Sequence, residues 1–457
     1  LPAEIYNTIC KTVSNLNDLL WGIGTFTLIF AIGMYFTIRI KFCNIIHIVD
    51  FLKIIFSRQK SSPDKIPKGK LSQFQVLSTS LAASMGTGNI IGVAAAISMG
   101  GPGAIFWMWA SAIFGTAIGF IENVLGYIYR NNGKCPMGYI SRAFHSVHLS
   151  QVYALLCVAA SFGIGNMTQS NAISAAAAEF GILLPISGVV VAAVCGFVIF
   201  GGRKKVALAA EKLVPFAAVL YLLGAILVIT IYGKYIADIL ISIVQSAFGF
   251  SQISGGICGA VLKKSIAVGL RRGIFSNEAG MGSSVLIHSE TASDTPVKMG
   301  MFAVVEVVID TLLCCTCTAL VILLTGADKT GTQGLSMVTV AFRSVMGNFA
   351  EIFVASTTVI FAFCTLLGWY FYGEKCLDFV TKTGNSKAIF CYRILYISAA
   401  FIGAVAELEL VWETADILNW FMLALNLSAV VILHNDAVRE INNYTKCIKS
   451  AKYNHRN

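Results

Sequence analysis

Two apolar stretches, each long enough to cross a bilayer, are broken near their middles by glycine and polar residues. One runs from Ser72 to Gly100 and holds SMGTGNIIG (Ser84 to Gly92); the other runs from Gly255 to Glu290 and holds FSNEAGMGSS (Phe275 to Ser284). Backbone N–H and C=O groups find no water among lipid tails, so such a break survives only where it is buried in protein or lines a cavity. A pair of interrupted helices in one chain is the sequence mark of a midplane binding site in a secondary transporter.

Composition agrees with a membrane chain. Of 457 residues 56% are hydrophobic and 12% charged, and the mean hydropathy is +0.76, against about 25% charged residues in a soluble domain. Apolar segments of bilayer length recur at about 18–40, 72–100, 102–130, 149–180, 186–202, 207–232, 255–290, 299–326, 349–378, 388–407 and 413–434. The expected fold is an all-α integral membrane protein of about eleven transmembrane helices. The first span stands apart behind a polar linker, SRQKSSPDKIPKGK (Ser57 to Lys70). The remaining spans divide into two groups of five, each opening with a broken span, and the groups have opposite orientation. That is a five-plus-five inverted repeat with two discontinuous helices and one extra N-terminal helix. The corresponding divisions are 1–71, 72–254, 255–434 and a basic tail, 435–457.

The net charge of +10 raises nucleic acid as a partner, but its distribution argues for a bilayer. Eight Lys and Arg lie between Arg39 and Lys70, and Arg203, Lys204, Lys205 and the tail from Arg439 to Arg456 fall on the same side. Glu407, Glu409 and Glu413 lie on the other. This positive-inside pattern puts the N-terminus outside and the C-terminus in the cytoplasm of a bacterial-type inner membrane. No cleavable signal sequence is legible in residues 1–17. The thirteen Cys make no disulfide framework, and Cys314, Cys315 and Cys317 lack the His or second Cys pair of a metal site. The segments Tyr235 to Phe250 and Ser336 to Met346 look amphipathic, as surface lids or as covers for helix ends.

A broken helix offers free N–H groups, which suit a carboxylate, and free carbonyls, which suit a cation. In the first break Gly86, Gly88 and Asn89 interrupt the run and Thr87 adds a hydroxyl; close packing through Gly88 and Gly92 is the alternative. In the second, Asn277, Glu278, Gly280, Gly282, Ser283 and Ser284 fall together, preceded by Arg271 and Arg272. Asn166, Gln169 and Asn171 supply amides at mid-span, either to another helix or to a substrate. Glu306 and Asp310 share a helix face, as a cation or proton path or as a pair held by a neighbouring Lys or Arg.

The block GGPGAIFWMWASAIFG (Gly100 to Gly115) resembles the signature of the alanine or glycine:cation symporter family, with Ala110 where a larger aliphatic residue is usual. GTGNIIGVA, GNMTQSNA, LRRGIFSNEAGMGS and LLGWYFYGEK are similar to other blocks of that family, in order from about Gln73 to Glu374. The resemblance implies a fold like that of the neurotransmitter:sodium symporters and cation-coupled uptake of small neutral amino acids, with no enzymatic chemistry and no organic cofactor. It places the substrate carboxylate on Thr87 and Gly88, a contact at Gln169, pocket walls at Asn277, Gly280 and Met281, and Trp369 at the side-chain end. It places sodium between the first break and span nine, on the carbonyls of Ala82, Met85 and Phe361, with Thr365 and Cys364. Cys364 stands where Ser or Thr is usual, and a thiol is a poor ligand for a hard cation. Proton coupling, uncoupled exchange on the same fold, and a transporter-like solute receptor are the alternatives; the receptor would need a soluble output domain.

Overall fold

The computed structural model describes residues 3–48, 51–52, 71–130, 135–249, 258–291, 295–381, 385–406 and 409–454. The linker Ser57 to Lys70, the start of the second broken span at Gly255, Glu407 and the end of the basic tail lie outside the described residues, as does the Glu409 side chain.

Apolar sequence with little water to compete for backbone groups folds as helix, and no strand occurs among the described residues. The helices are α1 (Ala3–Leu20), α2 (Ile23–Arg39), α3 (Gln73–Ser84), α4 (Gly88–Gly100), α5 (Gly103–Ile128), α6 (Met137–Phe144), α7 (Val147–Ala178), α8 (Leu184–Ile199) and α9 (Gly202–Ile231). They continue as α10 (Ile236–Ala247), α11 (Cys258–Asn277), α12 (Ser283–His288), α13 (Pro296–Thr325), α14 (Gly334–Met346), α15 (Phe349–Val380), α16 (Ser386–Val405) and α17 (Glu409–Asn454). By length and composition eight stretches can cross a membrane, or nine with the pair α3 and α4, which bends by 50°. Two of the eleven expected spans fall short of that measure. The span expected at 186–202 is α8, a helix of 16 residues. The second broken span is interrupted after α11, which carries Lys263, Lys264, Arg271 and Arg272.

The two broken spans run antiparallel. Leu71, at the head of α3, forms an isolated bridge with Thr291, just beyond α12, and its N–H donates to Glu290 O at 3.1 Å. At mid-length a Cβ on Gly88 would stand 3.3 Å from the Phe275 ring, and at the far end one on Gly100 would stand 3.4 Å from Ser265 Cα.

Three helices contain a π-helical stretch: Gly88–Gly92 in α4, Gly163–Met167 in α7 and Val308–Cys315 in α13. Such stretches loosen the backbone ladder and gather at functional sites. Here two of them, in α4 and α13, meet at the first break, where Asn89 bonds Asp310. The two amphipathic segments are helices that cover other helix ends. Ser246 of α10 accepts the Gly103 N–H at 3.0 Å and Ala247 O accepts the Trp107 indole N–H at 3.3 Å, while Gly334 of α14 lies against Ile91. At the N-terminus, α1 is tied to α17 by the Asn17 amide on Glu413 O at 2.7 Å and the Trp21 indole on Asp416 O at 3.1 Å. α17 continues the last span well into the basic tail.

Candidate functional site

The first break begins where α3 ends. Its start is fixed by a capping box, in which Ser72 and Gln75 satisfy each other's backbone N–H. At its end the Gly86 N–H, which would close the ladder on Ala82 O, instead bonds Ser84 O and Asn89 Oδ1, both at 3.0 Å. The Thr87 N–H goes to Gln169 Oε1 at 3.3 Å. The carbonyls of the last α3 turn are thereby released from their usual partners. Thr87 Oγ1 is buried and has no partner.

Glycine is required at Gly86 because helices close in on it. A Cβ there would stand 2.3 Å from Thr365 Oγ1 and 3.2 Å from Gln169 Oε1. α15 approaches α3 as tightly beside this point, since a Cβ on Gly368 would meet the Ala83 backbone at 2.6 Å. Thr87 of the first break, Gln169 of α7 and Thr365 of α15 therefore meet at one place. Of the five expected cation ligands, Ala82, Met85, Phe361, Cys364 and Thr365, all are buried, and the Thr365 hydroxyl donates to Phe361 O at 3.2 Å. The freed α3 carbonyls beside a hydroxyl whose lone pairs remain available are a donor set that fits a hard cation. Cys364 is the soft member of that set.

Of the three amides in α7, the structure brings one to the break. Asn166 donates to Tyr396 O at 2.7 Å and Asn171 to Gly403 O and Ala406 O at 3.2 and 3.1 Å, so both tie α7 to the α16 region. Gln169 alone turns inward. Trp369 packs on Gly165, where a Cβ would stand 2.1 Å from its own Cβ, and its ring lies edge-on to Tyr372 at 5.4 Å.

The second break is made by left-handed backbone. Glu278 has φ 52°, Gly280 φ 86° and Gly282 φ 76°, a region that glycine adopts freely and other residues seldom do. Side-chain donors hold the carbonyls that this turn exposes: Asn426 donates to Gly280 O at 2.8 Å and Tyr153 OH to Met281 O at 2.7 Å. Asn426 also donates to Glu122 Oε2 at 2.7 Å and accepts from Tyr139 OH. Asn277 Oδ1 caps the Ala279 N–H at 3.1 Å, leaving Nδ2 without a partner. Met281 is wholly buried.

The acids of α13 are not held by Lys or Arg among the described residues, contrary to one expectation. Asp310 accepts from Asn89 at 2.6 Å, Ser276 at 2.5 Å and Thr311 at 2.8 Å. It thus clips the first break to the last turn of α11. Glu306 faces His288 at 3.5 Å. Arg271 pairs instead with Asp416 at 3.6 Å, and Arg272 lies over Phe275 and Trp412. Asn426, Tyr153 and Glu122 escaped the sequence reading. Glu122 had a signal, an acid deep in an apolar span; Asn426 and Tyr153 had none.

A family model described as the sodium:alanine symporter family matches residues 6–457. A Bacillus subtilis protein named "Probable sodium/glutamine symporter" is 38% identical over 444 residues, covering 95% of this chain and 91% of the relative. The sodium/alanine symporter of Methanococcus maripaludis is 36% identical over 457 residues, covering 97% and 98%. A Bacillus subtilis amino-acid carrier protein is 33% identical over 437 residues, covering 94% and 91%.

Proposed function

The chain belongs to the sodium:alanine symporter family, a family of transporters, and from that premise we propose that it carries small neutral amino acids, alanine or glycine, into the cell together with sodium by alternating access. The observation that supports this most is the first break. There an unpartnered Thr87 hydroxyl and a Thr87 N–H lie beside Gln169, with the freed α3 carbonyls and Thr365 on the other side. The substrate carboxylate would take the Thr87 N–H and hydroxyl and the Gly88 backbone, with Gln169 alongside. Asn277, Gly280 and Met281 would form the opposite wall, and Trp369 would close the side-chain end. Ala82, Met85, Phe361 and Thr365 would hold sodium, with Cys364 a weak fifth. When bound, the ion brings positive charge next to the carboxylate and couples its own gradient to uptake. Each charge moved across 100 mV is worth about 2.3 kcal/mol, roughly fifty-fold accumulation. On this reading the protein is a multi-pass inner-membrane protein with its N-terminus outside and C-terminus in the cytoplasm. Its eleven helices include the five-plus-five inverted repeat.

The relative named for glutamine favours a second substrate reading, in which the side-chain end admits a longer polar group. Proteoliposomes with sodium and pH gradients imposed separately decide between these. Labelled alanine should accumulate under an inward sodium gradient, with glycine competing and leucine not. Accumulation of glutamine that alanine fails to displace would replace the substrate. Uptake that follows only the pH gradient would replace the ion, and counterflow without any gradient dependence would make the protein an exchanger.

A further inference from the structure

Four acids are buried around the breaks. Glu122, Glu278, Glu306 and Asp310 are each 2% exposed or less, and among the described residues no lysine or arginine pairs with any of them. Three have hydrogen-bond donors at close range: Asn426 for Glu122, Ser283 at 2.5 Å for Glu278, and Asn89, Ser276 and Thr311 for Asp310.

Glu306 is different. Its Oε1 has no partner, and its Oε2 faces His288 Nε2 at 3.5 Å, too far for a hydrogen bond. The other ring nitrogen, His288 Nδ1, lies 2.9 Å from Asn123 Oδ1. Asn123 is oriented by its own amide, which donates to Gly119 O at 2.9 Å and Ser284 Oγ at 3.2 Å. Asn123 Oδ1 is an acceptor, so the imidazole proton sits on Nδ1. A neutral His288 then turns the lone pair of Nε2 toward a carboxylate. Two more buried oxygens converge here without partners: Ser80 Oγ of α3 and Tyr372 OH of α15. Ser80 lies beside both Glu306 and Tyr372, Ser84 lies beside Glu306, and Tyr372 lies near both Glu306 and Glu278. The Nε2 lone pair and the carboxylate face each other in a buried place with only hydroxyls beside them, which is costly unless a positive charge sits between them.

We propose that Glu306, Ser80, Tyr372 and His288 form the site of a second coupling cation, separate from the one beside Thr365. Its elements are α3, α12, α13 and α15, and Tyr372 lies seven residues beyond Thr365 on α15, about 10 Å along the axis. The ligand is a single monovalent cation, sodium or a proton, held by Glu306. Glu278 and Asp310 supply negative field from the second break and α13, and Cys157, with Tyr372, is the other titratable group facing the cluster. The site joins the inner half of the first broken helix to α12 of the second, so filling it would fix the two breaks relative to each other. The coupling role rests on the transport reading; the binding does not.

The test measures charge per amino acid from reversal potentials in proteoliposomes, and cation binding by thermal stabilisation of the purified protein without amino acid. Wild type should move two positive charges per alanine, and Glu306→Gln one. If the second ion is sodium, the variant's dependence on sodium falls from two ions to one. If it is a proton, the variant loses the drive from a pH gradient and keeps its sodium dependence. Tyr372→Phe removes one hydroxyl and covers the case in which Glu306→Gln does not fold. It should raise the half-saturating cation concentration roughly ten-fold or more. One charge per alanine in wild type, or two in Glu306→Gln, overturns the site, as does stabilisation by sodium and by acid that is identical in wild type and both variants. A protein that shows the Glu306-dependent stabilisation but takes up no alanine overturns the substrate reading and leaves this one standing.

Discussion

The two breaks solve one problem, exposed backbone at membrane depth, mostly from opposite sides, although Asn277 Oδ1 also takes the Ala279 N–H at the second and Thr318 also donates to Asn89 O at the first. At the first, side-chain acceptors take up N–H groups: Asn89 Oδ1 holds Gly86 and Gln169 Oε1 holds Thr87. At the second, side-chain donors take up carbonyls: Asn426 holds Gly280 and Tyr153 holds Met281. The second is clamped by short bonds within a wider net that includes Glu122 and Tyr139. The first is held on one side by a bond of 3.3 Å and leaves a buried hydroxyl unpaired. The second break has its exposed carbonyls fully clamped, although Asn277 Nδ2 beside them is unpaired, and that clamp serves the fold. One that is incomplete leaves room for a ligand to finish it, because an unmade buried hydrogen bond costs about 1–3 kcal/mol until something makes it.

The largest effect should come from breaking the complete clamp. Asn426→Leu removes the donor to Gly280 O and Glu122 and the acceptor of Tyr139 together. It should cost about 3 kcal/mol or more, read as a large fall in the thermal midpoint in detergent with poor recovery of folded protein. Retention of the wild-type midpoint would mean that the second break holds itself. Gly282→Ala attacks the same place through backbone and space, since φ is 76° and a Cβ would stand 2.6 Å from Asn426 Oδ1; it should fall in the same direction.

Changes at the incomplete clamp should register in ligands more than in stability. Gln169→Leu removes a partner of the bound amino acid and should weaken alanine binding roughly ten- to hundredfold, the worth of a hydrogen bond to a charged group. An unchanged dissociation constant would take Gln169 out of the site. Thr365→Ala should remove sodium stimulation of uptake through the ion beside the first break, and Cys364→Ser should lower the sodium concentration needed for half-maximal uptake by adding a hard ligand. If both variants keep the wild-type sodium dependence, the ion lies elsewhere.

Much of this arrangement was legible because a break in an apolar run is a one-dimensional signal. Gly86, Gly88, Gly280 and Gly282 mark both breaks in the sequence, and Gln169 was singled out with Asn166 and Asn171. Which of those three amides turns inward was not legible, because their roles are set by α16, whose carbonyls claim Asn166 and Asn171. The partners of Asp310 were hidden for the same reason: Asn89 and Ser276 lie 221 and 34 residues away in sequence. The π-helical stretches left no mark in the sequence either. The expected count of eleven spans came from apolar length alone. It treats α11 as ordinary membrane helix although Arg271 and Arg272 are answered by Asp416 and Trp412 of α17.

The smallest change separates the two breaks most sharply. Thr87→Val keeps the shape of the side chain and deletes the hydroxyl that has no partner in this structure. A buried hydroxyl without a bond contributes nothing to the fold and costs its desolvation, so the ligand-free thermal midpoint should stay level or rise slightly. The bound carboxylate, in contrast, loses one hydrogen bond to a charged group, about 1.5–3 kcal/mol, and the alanine dissociation constant should rise roughly ten- to hundredfold. The equivalent loss at the second break, Tyr153→Phe, frees the Met281 carbonyl and should show the reverse, a lower midpoint with alanine affinity nearly unchanged. Calorimetry and ligand titration on the two variants side by side read both quantities. If Thr87→Val lowers the midpoint and leaves the affinity alone, the first break is a second structural clamp, and the site of amino-acid binding must be sought away from it.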